Sequence, residues 1–378
     1  MSPSLRTRNR TWTRSLVTLA LVAGIGLSSP ARVDAQDPPG DRASSASSER
    51  SDALDISSLL VPKAGYGFAD GMKLVLMSPD DLERQLDAVS LTDARWLRVP
   101  FNWARIEPTE GTYDWSEVDR VVDRARAHGL KILANLAYAP EWARGPSTTA
   151  SAPPSSPRLY GAFAAAAAEH FAGRVKHWEI WNEPNFAKYF GGESTHATAP
   201  EIYTKLLKKA YRAIKAERKR STVVAGALAP GADDDEGYSM PTFVRRMYEA
   251  GARRFFDAIS LHPYTTTTSA SWTRVYGDVA QVRTLMVQHR NSRRKIWYTE
   301  LGHTTPIDGL SQVTQAAWVT KELALAAEQP YIGPAFLYAI RDSGPDASQY
   351  SQNFGTLLTY DFQPKLLATV LATTAALP

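Results

Sequence analysis

The sequence predicts an α/β fold consisting of a single (β/α)8 barrel, and three observations lead to this prediction. Eight short apolar runs of the kind that forms buried parallel strands occur after residue 61. Each run is followed by a stretch in which apolar residues recur at the helical period of about 3.6 residues. No ninth unit follows, and eight strand-then-helix units joined by right-handed crossovers close naturally into a barrel.

The elements alternate strictly along the chain. The predicted strands are residues 64–68, 96–103, 131–137, 175–181, 222–227, 255–262, 295–299 and 333–339. The predicted helices are residues 79–93, 115–128, 158–172, 200–218, 241–252, 278–289, 310–328 and 364–377. Strict alternation favours parallel strands, so every strand should end at the same rim of the barrel.

A doubly wound open sheet is the alternative architecture. It usually has fewer strands and binds its ligand where the strand order reverses. The segment GYGFADG, residues 65–71, resembles a dinucleotide-binding loop only weakly, because its glycine spacing is wrong and no helix opens directly after it. This segment is therefore interpreted as the first barrel strand.

The first 35 residues are predicted to be a cleaved signal peptide. Four arginines, Arg6, Arg8, Arg10 and Arg14, precede an apolar stretch over residues 16–27 and the small-residue site Val33-Asp34-Ala35. The apolar stretch is shorter than the roughly 20 residues that span a bilayer, so no membrane association is expected after cleavage. Residues 36–60, rich in Pro, Ser, Ala and charge, are predicted to be a disordered linker. The barrel should occupy residues 61–378 of an exported protein.

Charge and cysteine content exclude several classes of function. The net charge of +4 resides in the leader, which holds five Arg and one Asp, so the mature chain carries 38 basic and 38 acidic residues. A neutral chain lacks the electrostatic footprint of a nucleic-acid-binding protein. With no cysteine, the chain has no disulfide and no thiolate metal site, and no His/Asp/Glu cluster shows convincing metal spacing. No metal and no cofactor are predicted.

Aromatic, amide and charged residues follow the predicted strands, where the active site of such a barrel lies. These candidate residues are Arg98, Asn102 and Trp103 after strand two, Tyr138 and Trp142 after strand three, Trp181, Asn182 and Glu183 after strand four, His262 and Tyr264 after strand six, Tyr298, Glu300 and His303 at strand seven, and Tyr338, Arg341 and Asp342 after strand eight. Sugars bind through apolar ring faces on aromatics and through hydroxyls on polar groups. The composition of this rim therefore indicates a carbohydrate substrate.

Two glutamates stand out among these residues. Glu183 lies in HWEIWNEPN and Glu300 in KIWYTELG, each at the end of a strand-like run. Cleavage of a glycosidic bond requires such a pair, because one group protonates the leaving oxygen while the other attacks or stabilises the sugar carbon. The sequence therefore indicates a glycoside hydrolase.

The chain resembles glycoside hydrolase clan A, the retaining (β/α)8 glycosidases, and within it the family 39 and family 5 type enzymes most. The motifs WNEPN and YTELG match the strand-four and strand-seven signatures, HPY matches the strand-six element, and Arg98 matches the strand-two arginine. The resemblance extends from about residue 61 to the C-terminus, including the closing segment NFGTLLTYDFQPKLL.

The resemblance implies a role for each of the main residues. Glu183 would be the general acid/base and Glu300 the nucleophile, kept ionised by Tyr264 and Arg98. Asn182 would bond the substrate 2-hydroxyl, and His262 would orient the site or touch the sugar rather than act as the base. One departure limits the transfer: many clan members place a Trp at the end of strand eight, where this chain has Leu337 and Tyr338, so the sugar cannot be taken from any one relative.

Several residues also have plain structural interpretations. Arg98 is interpreted either as a residue of the active site or as a structural partner of Glu179 or another carboxylate. Trp178 and Trp297 precede the catalytic positions by an odd number of residues, so alternation assigns both to the layer between barrel and helices. The acidic run 233–236 is interpreted as a solvated loop.

Three functions remain open from the sequence. The first is a secreted retaining glycosidase acting on a poly- or oligosaccharide. The second is a transglycosylase on the same scaffold, and the third is a non-catalytic carbohydrate-binding barrel. Aromatics in the loops after strands four, six and eight, namely Tyr189, Phe190, Trp272 and Tyr350, favour an extended cleft and internal cleavage. Neither the sugar nor the oligomeric state follows from the sequence.

Overall fold

The computed structural model describes residues 59–375 except 146–147, 267, 306–310, 347–348 and 350–351. The predicted signal peptide and nearly all of the predicted linker lie outside the described residues, as does Tyr350. The barrel belongs to one compact unit of the chain, Ala53–Pro378.

Eight parallel strands form a closed barrel in which each strand pairs with its neighbours in sequence and the last pairs with the first. The strands are β1 (Tyr66–Ala69), β2 (Trp96–Asn102), β3 (Lys131–Ala137), β4 (His177–Ile180), β5 (Thr222–Leu228), β6 (Ala258–Leu261), β7 (Lys295–Leu301) and β8 (Ile332–Tyr338). Closure is direct, since Phe68 of β1 is in register with Leu97 of β2 on one side and Leu337 of β8 on the other. The predicted fold class and all eight predicted strands are confirmed.

The helices surround the barrel or lie in the loops at its rim. They are α1 (Lys73–Leu76), α2 (Pro79–Ser90), α3 (Trp103–Ile106), α4 (Ser116–Ala127), α5 (Glu141–Arg144), α6 (Pro157–His170), α7 (Glu193–His196), α8 (Ala199–Glu217), α9 (Met240–Glu249), α10 (Ser269–Gln288), α11 (Gln312–Glu328) and α12 (Leu366–Ala375). The short helices α1, α3, α5 and α7 are additions to the predicted set, and all four lie in loops between a strand and its main helix.

One predicted loop is wrong. The sequence places Trp272 in a loop before a helix at residues 278–289, but α10 begins at Ser269, immediately after a Thr268 side chain that accepts a hydrogen bond from the Ser271 amide at 3.2 Å. The rings of Trp272 and Tyr276, one turn apart, then pack in a tilted arrangement with their centroids 4.5 Å apart. This N-cap and the i, i+4 aromatic pair stabilise the first turns of α10. The threonine-rich sequence before them gives no sign of a helix.

A small apolar cluster fills part of the barrel interior, and Tyr338 packs against it. Its members come from seven of the eight strands and are Ala69, Trp96, Leu133, Val224, Ala258, Trp297 and Phe336. Residues of so many strands meet only on the barrel axis. A larger apolar layer, which includes Trp178, lies between the strands and the helices.

Both tryptophans with a core interpretation are buried, but only Trp178 is on the predicted side. Trp297 points into the barrel, where its ring lies 5.4 Å from that of Trp96. The alternation argument fails for Trp297 because the register of β7 shifts between Ile296 and Leu301, so simple parity does not hold along this strand.

None of the described helices is both long and apolar enough to cross a bilayer.

Candidate active site

A cavity of about 320 Å³ opens among the C-terminal ends of the strands. Its lining residues are Gly71, Met72, Arg98, Pro100, Asn135, Tyr138, Asn182, Glu183, Tyr189, Tyr264, Glu300, Tyr338 and Phe354. Other cavities of about 260 and 300 Å³ lie on the surface, so size does not distinguish this one. What distinguishes it is a pair of facing carboxylates surrounded by aromatic rings and amides, a combination suited to sugars.

The end of β4 has an unusual backbone that presents Glu183 to the cavity. Trp181 and Glu183 adopt left-handed conformations with φ of 67° and 46°, which in non-glycine residues cost of order 1–3 kcal/mol each. The amide of Trp181 donates to the Leu136 carbonyl at 2.8 Å, and the Asn135 side chain donates to the Trp181 carbonyl at 2.6 Å. The amide of Glu183 donates to the Ala227 carbonyl at 3.0 Å. Bonds to the strands on both sides thus hold the turn in this conformation.

Asn185, the last residue of the WNEPN motif, fixes the turn beyond Glu183. Its buried side chain donates to the carbonyls of Ala229 and Tyr238 at 2.8 and 2.9 Å, and accepts from the Ala229 amide at 3.2 Å. Because one amide group satisfies three buried backbone groups, this position favours asparagine. The motif therefore combines a presented carboxylate with its own structural support.

Glu300, near the end of β7, is surrounded by donors. Arg98 Nη1 lies 2.5 Å from Oε1, and the Tyr264 hydroxyl donates to Oε2 at 2.8 Å. Burial by itself would raise the pKa of Glu300, but electrostatic interaction with His262 and Arg98 and the hydrogen bonds from Tyr264 and Arg98 outweigh it and hold the pKa below its usual value. Glu300 is therefore an anion at neutral pH.

Arg98 connects Glu300 to two further residues. Its Nε donates to Glu179 Oε2 at 2.6 Å and its Nη2 donates to Asn182 Oδ1 at 2.8 Å. Burial would lower the pKa of Arg98, but the charges of Glu179 and Glu300 raise it above its usual value. The two interpretations that the sequence left open for Arg98 are both realised, since one guanidinium bonds the site carboxylate and Glu179 together.

Glu183 has a different environment. Its Oε1 lies 3.0 Å from His262 Nδ1, and its side chain is 13% exposed. The same His262 nitrogen lies 3.7 Å from Glu300 Oε2, and one oxygen of each glutamate lies within 4.8 Å of the other. The imidazole of His262 is thus in contact with one carboxylate and close to both.

Asn182 has an amide group available to a substrate. Its oxygen accepts from Arg98, while its nitrogen, among the described residues, makes one long contact of 3.5 Å with the Tyr138 hydroxyl. Arg98 can only donate, so the Asn182 atom that it contacts must be the amide oxygen, and this contact fixes the orientation of the amide group. The side-chain N–H groups of Asn182 therefore face the cavity.

The structure brings most of the predicted residues together. Arg98, Tyr138, Asn182, Glu183, Tyr264, Glu300 and Tyr338 line the cavity, and His262 lies beside the two glutamates. Tyr338 lies at the end of β8, with its ring 6.4 Å from that of Tyr264 and 5.7 Å from that of Phe354.

The predicted tryptophans lie outside the cavity lining. Trp103 is fully buried, stacks on Phe163 at 5.1 Å and donates to Glu107 Oε2 at 2.6 Å. Trp142 donates to the Glu107 carbonyl at 2.9 Å, and the fully buried Trp181 donates to the Tyr189 carbonyl at 2.9 Å. These rings support the loops of the rim, and direct contact with a sugar is not open to Trp103 or Trp181.

Two polar residues of the predicted set also have other partners. Asn102 caps α3, its side-chain oxygen accepting from the Arg105 amide at 3.2 Å. His303 is buried, with Nε2 at 3.1 Å from Glu322 Oε1. Both residues follow strand ends, but their side chains turn away from the cavity because local partners hold them.

Sequence reasoning missed Asn135, Met72 and Phe354, which all line the cavity. Asn135 had a signal: it is the single polar residue within the otherwise apolar strand run after Lys131. Met72 and Phe354 lie in loops, where no periodicity indicates which way a side chain points.

Glu183, His262 and Glu300 also have the composition of a metal-binding cluster, with ligand atoms within 4.8 Å of one another. Arg98 argues against this use, because its positively charged guanidinium already pairs with Glu300 and would repel a metal cation.

The acidic run 233–236 behaves as a loop: Asp233 accepts from the Ser239 amide at 2.7 Å and the Thr242 hydroxyl at 2.8 Å.

Comparison with known proteins finds similarity to glycoside hydrolases. The model of glycoside hydrolase family 42, described as beta-galactosidase, matches residues 78–155. No curated protein sequence matches the chain significantly.

Solved structures of (β/α)8 glycosidases resemble the protein over most of its length. A family 39 glycoside hydrolase from Bacteroides cellulosilyticus WH2 superposes with a TM-score of 0.66 and 22% identity over 84% of this chain and 64% of that one. A monomeric beta-xylosidase from Caulobacter crescentus CB15 gives 0.64 and 20% over 85% and 69%, respectively. A family 5 enzyme from Streptomyces cattleya, solved with Manb1-4GlcNAc, gives 0.59 and 17% over 82% and 80%.

These matches confirm the barrel fold and the resemblance to clan A glycoside hydrolases. At such identities the likeness to the solved structures establishes the fold alone. The chain also spans only 64% of the length of the family 39 structure.

Proposed function

We propose that the protein is a retaining glycoside hydrolase that cleaves O-glycosidic bonds of a poly- or oligosaccharide, with Glu183 as general acid/base and Glu300 as nucleophile. The observation that carries the proposal is the facing pair of carboxylates, with one oxygen of each within 4.8 Å. Retaining enzymes hold the two carboxyl groups roughly 5 to 5.5 Å apart, whereas inverting enzymes need about 6.5 to 9.5 Å to admit a water molecule.

The surroundings of Glu300 suit the first step, in which it forms a bond to the anomeric carbon. Arg98 and Tyr264 keep the carboxylate ionised and point it into the cavity. As the new carbon–oxygen bond forms, the glycosidic bond breaks, and Glu183 gives its proton to the departing oxygen. The product of this step is a glycosyl-enzyme ester on Glu300.

The second step returns the enzyme to its starting state. Glu183, now a carboxylate, takes a proton from water, and the water oxygen attacks the anomeric carbon and displaces Glu300. Two inversions give net retention. The side-chain amide of Asn182, whose nitrogen makes a long contact of 3.5 Å with Tyr138, would donate to the substrate 2-hydroxyl, a contact that strengthens in the oxocarbenium-like transition state.

The decisive experiment is a screen of the purified protein against aryl glycosides and against bacterial and plant polysaccharides, with the anomeric configuration of the first product read by NMR. We expect turnover with retained configuration. Inverted product would contradict the mechanism, and glycosyl transfer to an added sugar acceptor in preference to water would identify a transglycosylase. Carbohydrate binding without turnover of any substrate would favour the binding barrel.

We propose further that the protein is exported. This proposal rests on the arginine-rich start, the short apolar stretch of residues 16–27 and the small-residue site near Ala35. N-terminal sequencing of protein from the culture medium should give a chain that begins near Gln36. Protein that keeps Met1 and stays with the membrane fraction would show that this segment is an anchor instead.

A further inference from the structure

Glu179 is a buried carboxylate that the reaction proposed above does not use. It lies in β4, and its side chain has 0% exposure to solvent. Burial of an ionised carboxylate is costly, and a buried ion pair is rarely justified by stability alone. The position of this charge in the core therefore requires a reason other than stability.

The contacts of Glu179 all lie on one of its two oxygens. Oε2 accepts from Arg98 Nε at 2.6 Å and from Asn135 Nδ2 at 3.0 Å. Oε1 is buried without a hydrogen-bond partner among the described residues. The carboxylate is thus aimed at Arg98, whose Nη1 bonds Glu300 and whose Nη2 bonds Asn182.

We infer that Glu179 is a positioning residue for the nucleophile, which acts by fixing the orientation of the Arg98 guanidinium and by balancing its positive charge. The inference rests on the function proposed above. Arg98 transmits the effect because its planar, rigid guanidinium meets Glu179 and Glu300 with different nitrogens, so that fixing one bond fixes the direction of the other.

Charge balance matters because the nucleophile loses its negative charge when it bonds to the sugar. An arginine paired with Glu300 alone would stabilise the free carboxylate more than the ester, and so oppose formation of the intermediate. Glu179 shares the positive charge of Arg98. Glu300 is then ionised and held in place without being held too tightly to react.

The test compares two substitutions at Glu179. Glu179→Gln keeps an oxygen that accepts from Arg98 and Asn135 but removes the charge. On an activated aryl glycoside we expect kcat to fall about 10-fold with KM changed less than about 3-fold. Loss of a nearby negative charge makes Glu300 harder to protonate, so the acidic limb of kcat/KM against pH should move to lower pH by about one unit. Glu179→Asp keeps the charge, so kcat should fall while the limb stays in place.

Glu322→Gln is the matched control, since Glu322 is equally buried, pairs with His303 and does not line the cavity. Its acidic limb should coincide with that of the wild type. The inference is overturned if folded Glu179→Gln keeps the wild-type kcat and limb, if its limb moves to higher pH, or if Glu322→Gln shifts the limb as much. If Glu179→Gln does not fold, a wild-type kcat in Glu179→Asp overturns it. A wild-type protein inactive on every glycoside would instead refute the proposed function.

Discussion

The two glutamates of the cavity are the same residue type at the same rim, yet their surroundings differ. Both oxygens of Glu300 meet strong donors, the Arg98 guanidinium and the Tyr264 hydroxyl. Among the described residues, one side chain, that of His262, lies at hydrogen-bonding distance from Glu183, at 3.0 Å, and the backbone of Glu183 is in the left-handed region. The Glu300 carboxylate is positioned by hydrogen bonds from two side chains, whereas the position of the Glu183 carboxylate depends mainly on the backbone of its turn.

This difference shows how one side chain type can serve two purposes in one site. Donors on both oxygens favour the ionised form, which a nucleophile needs. A carboxyl group that gives and later takes a proton has to pass through both forms, so it must not be bonded tightly in either. The asymmetry supports the proposed roles independently of the motifs, and substitutions of the two glutamates should have different effects.

The largest effect is expected from Glu300→Ala. Without this carboxylate no glycosyl-enzyme can form, so turnover should fall below detection on every substrate. Added azide or formate should restore part of the activity by attacking from the vacated face, and should give product of inverted configuration. The measurement is the initial rate on a dinitrophenyl glycoside with and without azide, followed by NMR of the product.

The next largest effect is expected from Glu183→Ala, and it should depend on the leaving group. Loss of general acid/base assistance typically costs about 10²- to 10⁴-fold, and this loss should appear in full on substrates with poor leaving groups. On dinitrophenyl glycosides, which need little protonation, the intermediate should still form and then accumulate, because no base activates the water. Burst kinetics reveal this accumulation. Equal slowing of both substrate types would contradict the assignment of Glu183.

A smaller effect is expected from Tyr264→Phe, which removes one donor from Glu300. Burial, followed by the charge of Glu300, raises the pKa of Tyr264 well above its usual value, so the hydroxyl stays protonated and donates at 2.8 Å. A hydrogen bond to a charged group contributes about 1.5–3 kcal/mol, which corresponds to about a 10- to 100-fold loss in kcat. Because this bond lowers the pKa of Glu300, its removal should move the acidic limb of kcat/KM to higher pH. An acidic limb that moves to lower pH would contradict the conclusion that the Tyr264 hydroxyl stabilises the ionised form of Glu300.

Sequence patterns could predict the architecture and the two carboxylates, because both depend on local regularities. Eight alternating elements can be counted from periodicity, and a strand end can be located to within a few residues. That is why Glu183 and Glu300 were both assigned to the rim, and why Arg98 and Tyr264 were assigned beside them.

Side-chain direction beyond a strand end could not be predicted, since it depends on which partner each side chain meets in the folded chain, whether that partner is near or far in sequence. Trp103 turns inward to Glu107, and His303 turns to Glu322, although both follow the strand ends as closely as the residues that line the cavity. Phe354 reaches the cavity from a loop, because its carbonyl accepts from the Ala339 amide at 3.0 Å and the next residue, Gly355, donates to Asp342. Parity failed for Trp297 because β7 contains a register shift.

The smallest effect is expected from Tyr138→Phe, the counterpart of Tyr264→Phe in the neighbourhood of Glu183. Burial, followed by the charge of Glu183, raises the pKa of Tyr138 to about 12, so its hydroxyl is also protonated at neutral pH. Within the described part of the chain, however, this hydroxyl makes one long contact, of 3.5 Å with the Asn182 side-chain nitrogen, which is at the limit of a hydrogen bond. We therefore expect kcat and KM to change by less than about 3-fold, with no movement of the acidic limb. The two variants lose the same atom from the same type of residue, so measuring both pH profiles with one aryl glycoside isolates the effect of position. If Tyr138→Phe were as damaging as Tyr264→Phe, the hydroxyl of Tyr138 would have to bond the substrate, and the neighbourhood of Glu183 would be as dependent on donors as that of Glu300.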